Sequence, residues 1–350
     1  MCTPERPAHD TRRVGVATAF SVGYGAAMPF ASILGHEQVI AGLRSAFERG
    51  RVAHAYLFAG PDGVGKARVA EAFVQLLSCK EPAPGPDACG RCRPCRLIAD
   101  GRHPDLITVR RDGQFIKIEQ VRELTKGLRF PPVEAATRAV VIHDAEALHL
   151  TAANALLKTL EEPSPRNVFV LVTSQPNVLL TTIRSRSQQV RFTALSRELV
   201  AGWLVREKGV DPTTADELAA MSGGSLGAAE KLVDTEVSAI REQWLGELAT
   251  IGTLRPTQLL ALGETLAAVK EKMPAVLDVM RSALRDAMLK SGGLPDDRLT
   301  FRGRRLPVLD GEAALSALTL IDEAERALSG NVNPRLVAEH LLLGLRRAAA

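Results

Sequence analysis

A glycine-rich loop, GPDGVGKA at residues 60–67, constrains this chain more than any other feature. The apolar run AYLFA (55–59) comes directly before it, and ARVAEAFVQLLSC (67–79) follows with helical periodicity. A strand, a glycine loop and a helix in this order bind phosphate, because backbone N–H groups and the helix N-terminus face the anion. We therefore predict a phosphate cradle with a lysine as its point charge. Its residues are Gly60, Gly63, Gly65 and Lys66.

The loop departs from the usual phosphate-binding pattern at its last residue. Ala67 stands where the pattern G-x-x-x-x-G-K-[ST] has a hydroxyl. That hydroxyl normally holds Mg²⁺, which neutralises the charge that builds up on the phosphates. The sequence thus predicts a degenerate loop that binds ATP weakly or not at all.

Short apolar runs and helical segments alternate along the first half of the chain. Strands that alternate with helices predict a parallel sheet with helices on both faces. The predicted strands are 55–59, 105–109, 138–143, 167–173 and 187–192. After Phe192 the strand signals nearly vanish and the pattern is helical to the end of the chain. The fold class is therefore α/β, with helical domains after it.

Four parts follow from these changes of pattern. They are a disordered extension (1–28), an α/β domain (29–193), a small helical domain (194–248) and a larger helical domain (249–350). A hydrophobic content of 46% is enough to fill a core in each folded part. The net charge of +4 permits contact with nucleic acid but does not argue for it. No apolar run reaches the roughly 18 residues that a membrane span needs, which excludes a membrane protein.

The extension contains a weak resemblance to an export signal. Arg12 and Arg13 precede VGVATAFSVGYGAAMPFA, but Ser, Tyr and three Gly interrupt that apolar stretch. We predict instead a disordered segment, or an upstream choice of start codon, and hence a cytoplasmic protein.

Four cysteines form a second motif, with the spacing C-x₉-C-x₂-C-x₂-C. They are Cys79, Cys89, Cys92 and Cys95, within a module at 79–103 that is rich in Pro and Gly. Four thiolates on short loops suit a closed, structural Zn²⁺ site, and His103 is a spare nitrogen nearby. A disulfide pair is the competing interpretation, which a cytoplasmic location disfavours, and an iron–sulfur cluster is a further one.

The stretches VVIHDAEALHL and NALLKTLEEP together resemble the bacterial clamp-loader subunits of DNA polymerase III, which belong to the AAA+ class. The same cysteine spacing ahead of HPDL also occurs in that family. The resemblance implies an AAA+ P-loop domain, a helical lid and a helical collar for oligomerisation. In active gamma/tau subunits an acid pair lies eleven and ten residues before the Asn of NALLKTLEEP. Counting back from Asn154 gives His143 and Asp144.

His143 would thus replace the metal-binding Asp, and Asp144 the catalytic Glu. Imidazole is a poor ligand for Mg²⁺, which prefers oxygen. Glu146 lies further along and is expected to point elsewhere. The chain therefore looks like a member of the family that does not hydrolyse ATP. The alternative is an active gamma/tau-like ATPase whose motifs have drifted.

The resemblance also implies partners. These are the gamma/tau and delta subunits and, through the complex, the sliding clamp and primed DNA, all within a DNA polymerase holoenzyme whose chemistry is nucleotidyl transfer. A rival from another class is a free-standing zinc-dependent DNA-binding protein. Mild charge and an aromatic content of 4% oppose that rival.

A Ser-Arg-Ser motif at 185–187 matches the Ser-Arg-Cys motif of clamp loaders, apart from Ser187. In that family the arginine reaches the ATP of the neighbouring subunit, so Arg186 is the predicted arginine finger, acting in trans. The alternative is a solvated basic edge made of Arg184, Arg186 and Arg191.

Two expectations concern the helical half. In GGSLGAAEKL, Gly227 or a neighbouring Ala stands where active AAA+ subunits have a nucleotide-sensing Arg, and Lys231 is not assigned that role. The last segment, NVNPRLVAEHLLLGLRRA, is apolar over most of a helical surface, which predicts a buried helix.

Overall fold

The structure, a computed structural model, divides the chain into two compact units, Met1–Leu195 and Ser196–Ala350. It describes residues 16–17, 28–233, 235–268, 270–330 and 332–349. The predicted disordered extension at 1–28 lies outside the described residues, apart from Val16, Ala17 and Met28. The predicted boundary between the lid and the collar falls inside the second unit and stays a prediction.

A six-stranded sheet forms the centre of the first unit. Its strands are β1 (Val16–Ala17), β2 (Ala55–Ala59), β3 (Leu106–Val109), β4 (Arg138–Ile142), β5 (Asn167–Thr173) and β6 (Gln188–Arg191). Their order across the sheet is β1-β3-β4-β5-β2-β6. Strands β2 to β6 run parallel, and β1 pairs antiparallel with β3. The predicted fold class is confirmed, and β2 and β5 have the predicted bounds.

Helices cover both faces of this sheet. They are α1 (Glu37–Glu48), α2 (Lys66–Ser78), α3 (Arg93–Ala99), α4 (Ile118–Gly127), α5 (Leu150–Glu161) and α6 (Thr181–Ser185). Side chains alternate across a strand, so Phe58 packs into the core with α1 and α2, and Leu57 packs into the core with α4 and α5. Strands β2 and β5 are buried on both faces, which explains their continuous apolar runs.

The second unit is helical throughout its described residues. Its helices are α7 (Arg197–Lys208), α8 (Pro212–Met221), α9 (Leu226–Leu232), α10 (Thr235–Thr250), α11 (Pro256–Ala268), α12 (Met273–Ser291), α13 (Gly311–Ser329) and α14 (Pro334–Ala348). One apolar core joins the last five helices around Trp244, Met280 and Leu341. None of the described helices combines the length and the apolar character that crossing a membrane requires.

The last helix is less buried than the sequence suggests. Leu341, Leu342 and Leu345 are buried as expected, but Leu336 is 60% exposed. Helix α14 packs against α11 and α13 with one face only, so its opposite face remains in solvent. The prediction of a helix is confirmed, and the prediction that Leu336 is buried is wrong.

A buried ion pair fixes the loop between α4 and β4. The Asp105 carboxylate accepts N–H bonds from Val133 (2.7 Å), Glu134 (2.7 Å) and Ala135 (2.9 Å). Arg138 lies 3.4 Å from the same carboxylate, and both side chains are almost inaccessible to solvent. Burial raises the pKa of Asp105, but these N–H groups and Arg138 outweigh burial and hold its pKa below the usual value.

We expect Asp105→Asn to destabilise the first unit by about 3 kcal/mol, because it leaves Arg138 buried without its counter-charge. A carboxylate whose pKa is depressed in the folded protein stabilises the fold at pH values above its unfolded pKa near 4. That stabilisation is lost as the pH falls through the folded pKa. The difference between the two proteins should therefore shrink below about pH 4. Urea unfolding followed by circular dichroism measures the free energy of unfolding. Tryptophan fluorescence would not report on the first unit, since Trp203 and Trp244 both lie in the second unit.

Asp100→Asn is the matched control, because the Asp100–Arg102 pair (2.6 Å) lies at the surface. Exposed pairs contribute about 0–1 kcal/mol. Equal stability losses in the two variants would contradict a special role for the buried pair.

Candidate functional site

The glycine loop connects β2 to α2, as the sequence predicts. The Gly60 N–H donates to the Thr173 carbonyl at the end of β5 (3.3 Å), which fixes where the loop begins. A side chain at Gly60 would place its Cβ 2.3 Å from the Phe192 carbonyl oxygen. Gly63 (φ 69°) and Gly65 (φ 111°) have left-handed backbones that favour glycine. The three predicted glycines are therefore each needed for the shape of the loop.

Lys66 is the first residue of α2 and is almost fully buried. Its Nζ donates to the carbonyls of Gly60 (2.8 Å) and Pro61 (2.6 Å), so the ammonium is folded back onto its own loop. Burial lowers the pKa of Lys66, while the charges of Asp62, Glu146 and Asp144 act in the opposite direction. The Lys66 ammonium thus holds two carbonyl groups of its own loop close together.

A histidine that sequence reasoning missed lies against the same loop. The His36 Nε2 is 2.8 Å from the Val64 carbonyl oxygen, and its ring meets the Phe192 ring edge-on at 4.9 Å. His36 stands at the start of α1 with φ 63°. Nothing in its sequence surroundings distinguishes it from an ordinary helix-start residue, because the contact depends on tertiary structure.

The two residues at the expected acid positions lie at the end of β4, where they have different environments. His143 is buried, and burial together with the charge of Arg110 lowers its pKa to about 3. Its imidazole is therefore neutral at physiological pH. Asp144 is exposed, has a left-handed backbone (φ 48°) and lies 3.7 Å from Arg111. Neither residue offers the buried carboxylate that the metal shell of an active site would use.

Positive charge near His143 also opposes a divalent cation there. The charge of Arg110 acts to lower the pKa of His143 and also that of Glu71, a largely buried acid on α2. Burial raises the pKa of Glu71 to about 7, and Arg110 and Arg68 limit that rise. Sequence reasoning missed Glu71, because an acid on a helix is normally a solvated residue.

Glu146 is closer to the phosphate loop than the sequence suggests. Its carboxylate accepts hydrogen bonds from the backbone N–H (3.1 Å) and hydroxyl (2.5 Å) of Ser174, just after β5. Burial raises the pKa of Glu146, but these bonds outweigh burial and hold the pKa below the usual value. Its charge is one of three that act on Lys66. Glu146 therefore connects the ends of β4 and β5 beside the loop.

The predicted sensor segment lies in the second unit. Gly227 and Ala228 are in the first turn of α9, where the Ala228 N–H donates to the Ser225 hydroxyl (3.1 Å), and Lys231 is exposed in the last turn. The absence of a sensing arginine at this position stays a prediction.

The four predicted cysteines lie together after α2. Their Sγ atoms all lie within 4.8 Å of one another, and Cys79 and Cys92 are 3.9 Å apart. A tetrahedral ion with metal–sulfur bonds of about 2.3 Å needs sulfur atoms about 3.8 Å apart. Cys89 N–H donates to the Cys79 sulfur (3.3 Å), and Cys92 N–H donates to the Cys89 sulfur (3.4 Å). The four thiols therefore fit one tetrahedral metal ion.

The thiols differ in their tendency to ionise. Burial raises the pKa of Cys79 and of Cys95. Burial acts in the same direction on Cys89, but N–H groups of Cys92 and Arg91 and the neighbouring thiols outweigh it and lower the Cys89 pKa to about 6. His103 is not part of the four-cysteine group. Its Nδ1 accepts the Asp105 N–H (3.1 Å).

Polar side chains bind the cysteine module to the rest of the first unit, Asp87 and Gln75 among them. Asp87 accepts N–H bonds from Phe30 (2.8 Å) and Ala31 (2.9 Å) and pairs with Arg44 (2.9 Å). Gln75 on α2 donates to the Cys95 carbonyl (3.2 Å). Order in the module is thus coupled to the segment before α1 and to the helix that begins at the phosphate loop.

Arg186 follows α6 directly and precedes β6. Its Nη2 is 2.8 Å from the Glu161 carboxylate, and its Nη1 donates to the Thr182 carbonyl (3.1 Å). Ser187 is buried, and its hydroxyl donates to the Ile183 carbonyl (2.9 Å). The structure thus brings Arg186 together with Glu161, a residue that sequence reasoning did not single out.

Arg186 and the phosphate loop lie at opposite ends of the parallel strands. Strands β2 and β6 are parallel neighbours, with Tyr56 opposite Gln188 and Ala59 opposite Arg191. The loop follows the carboxyl end of β2, whereas Arg186 precedes the amino end of β6. At about 3.3 Å per residue, the paired length alone separates them by about 10 Å.

Comparison with known proteins gives a consistent family. A family profile described as "DNA polymerase III, delta subunit" matches residues 35–196. The chain is 30% identical to the delta prime subunit of DNA polymerase III from Bacillus subtilis over 312 residues, which cover 87% of this chain and 94% of that protein.

Two further relatives match over shorter shares of their length. The delta prime subunit from Pseudomonas aeruginosa is 39% identical over 198 residues, which cover 56% of this chain and 59% of that protein. The tau subunit from Salmonella typhimurium is 32% identical over 326 residues, covering 90% of this chain but only 50% of that protein. The chain therefore resembles two kinds of subunit of one enzyme.

Proposed function

Because this chain belongs to the delta prime family of DNA polymerase III subunits, we propose that it is a clamp-loader subunit that does not itself hydrolyse ATP. It would take part in ATP-driven loading of the sliding clamp onto primed DNA. The observation that carries the proposal is the site itself: the phosphate loop is complete in shape, but its metal positions hold Ala67 and a buried, neutral His143.

Hydrolysis at this loop would need a Mg²⁺ ion that bridges the phosphates. The hydroxyl ligand is missing at Ala67, and His143 offers a neutral nitrogen near the charge of Arg110. Mg²⁺ prefers oxygen ligands in octahedral geometry. The Lys66 ammonium donates to the carbonyls of Gly60 and Pro61, so it is directed at the backbone of its own loop. We infer weak or no nucleotide binding and no useful turnover.

Arg186 would act on a nucleotide held by a neighbouring subunit. The position of Arg186 at the opposite end of the parallel strands from Lys66 supports this, since the two residues cannot contact the phosphates of one nucleotide. The guanidinium is partly exposed, always charged and suited in shape to phosphate oxygens. A finger supplied in trans needs no ATP in its own subunit.

The four cysteines would hold a structural Zn²⁺ ion. All four ligands come from the chain, so no position would remain open for a reacting water. We propose gamma/tau and delta subunits as partners within the polymerase holoenzyme, in the cytoplasm. In this setting thiols remain reduced, which favours a metal over a disulfide pair.

The match with a tau subunit favours a second candidate, an active gamma/tau-like ATPase. The two candidates differ in one measurable property, ATP turnover by the isolated chain.

For nucleotide, we expect no ATP turnover by the isolated chain. The triple variant Ala67→Thr, His143→Asp, Asp144→Glu should bind Mg-ATP at least about tenfold more tightly, since it restores oxygen ligands. Calorimetric titration with Mg-ATP and a phosphate-release assay measure the two quantities. Circular dichroism checks that an acid at the buried position 143 leaves the fold intact. Turnover by the unmodified chain at the rate of a gamma/tau subunit would establish the second candidate instead.

For the finger, we expect Arg186→Ala to lower DNA-stimulated ATP hydrolysis and clamp loading by the reconstituted complex, while assembly is unchanged. The total loss should be smaller than the roughly 10³–10⁵-fold that a finger contributes at its own site, because the complex has other sites. Arg184→Ala is the matched control, as Arg184 has no ion pair within the described part of the chain. Equal effects of the two variants would favour the basic-edge interpretation.

For the metal, we expect one Zn²⁺ per chain by elemental analysis. Cys92→Ser should release it and speed hydrogen exchange across 79–103 and at Phe30 and Ala31, which Asp87 holds. Exchange in β2 and β5 should stay slow, because the sheet has its own core. Protein that is purified without chelators and contains no zinc would exclude this site.

A further inference from the structure

We propose that Glu161 is a positioning residue, which holds the guanidinium of Arg186 in the orientation needed to meet a phosphate of the neighbouring subunit's nucleotide. The inference rests on the proposed trans role of Arg186. It adds a second residue to that role, on a different helix, and assigns a purpose to the pair that these two residues form.

Two contacts from different elements fix the guanidinium. Glu161, the last residue of α5, binds Nη2 at 2.8 Å, and the Thr182 carbonyl of α6 binds Nη1 at 3.1 Å. The backbone N–H of Arg186 also donates to the Ile183 carbonyl (3.2 Å). Both ends of the side chain are thereby held, although its middle is long and flexible.

The guanidinium retains capacity for a phosphate. It carries five N–H donors, of which the Thr182 carbonyl takes one, while Glu161 contributes an ion pair at 2.8 Å. The Arg186 side chain is 35% exposed, so the remaining donors can be reached from solvent. A phosphate could therefore bind without displacing Glu161, whereas a flexible arginine would first have to be ordered.

Glu161 lies in the last turn of α5, where its carboxylate interacts unfavourably with the helix dipole unless a cation pairs with it. The last turn of an α-helix disfavours a carboxylate, because the carbonyl end of the dipole is negative. Arg186 offsets that cost, and Pro163, two residues on, ends the helix and limits how far Glu161 can move.

The pair contributes little to stability, because both side chains are substantially exposed (35% and 46%). Glu161→Gln should therefore fold, retain metal and assemble normally. Its effect should fall on ATP hydrolysis by the complex, where an unrestrained Arg186 must be ordered at each turnover. We expect kcat to fall by about two- to fivefold with little change in KM, the pattern for an interaction used in the transition state.

The experiment uses the full reconstituted loader with six versions of this chain: unmodified, Arg186→Ala, Glu161→Gln, Arg186→Ala with Glu161→Gln, Glu161→Asp, and Glu162→Gln. Glu162 is the matched control, as an adjacent exposed acid for which the described residues show no ion pair. DNA-stimulated ATP hydrolysis is measured at saturating and limiting ATP. Glu161→Asp, which keeps the charge, should recover part of the lost rate.

The expected result is a lower kcat for Glu161→Gln, no change for Glu162→Gln, and no further loss when Glu161→Gln is added to Arg186→Ala. That last arm separates positioning from a general structural role, because a structural role would remain without the arginine. An unchanged or higher rate for Glu161→Gln beside an impaired Arg186→Ala would overturn the positioning role alone. Full activity of Arg186→Ala would overturn the trans role itself, and the positioning role with it.

Discussion

The first unit depends on the pairing of β2 with two parallel neighbours. β5 lies on one side of β2 and β6 on the other, so that the backbone hydrogen bonds of β2 are satisfied on both edges. The Gly60 N–H extends the pairing to Thr173, and the Phe192 carbonyl leaves no room for a side chain at Gly60. The position of the phosphate loop follows from β5 and β6 as much as from the loop sequence. The same pairing puts Arg186 at the other end of the strands, because it precedes the amino end of β6 whereas the loop follows the carboxyl end of the parallel β2.

The proposed loss of the metal positions would change the chemistry of the site without changing its fold. A carboxylate at position 143 would be costly to bury next to an apolar strand unless a cation balanced it. A neutral imidazole can be buried there, and burial in turn keeps its pKa near 3. Lys66 donates to two loop carbonyls. His143 and Lys66 thus each have a compatible environment or a local partner within the described residues.

Much of this architecture could be predicted from sequence, and particular residues show where prediction stops. The bounds of β2 and β5 follow from apolar runs that end in turn signals, and the four cysteines follow from spacing alone. The Asp105–Arg138 pair joins residues 33 positions apart and leaves no periodic signal. Glu161 sits in a recognisable motif, but its contact with Arg186 depends on how α5 and α6 pack. The exposure of Leu336 depends in the same way on which face of α14 its neighbours cover.

Helix α2 connects the phosphate loop to the four-cysteine module. The phosphate loop precedes its first residue, Lys66, and Cys79 follows its last, Ser78, about 20 Å away at 1.5 Å per residue. A bound metal would fix one end of the helix, and the Lys66 contacts with loop carbonyls fix the other. Such a helix need not move when ATP binds or leaves. In the proposed role, such a subunit would present Arg186 from a constant position while its neighbour turns over nucleotide, and that proposed division of roles requires no hydrolysis in this chain.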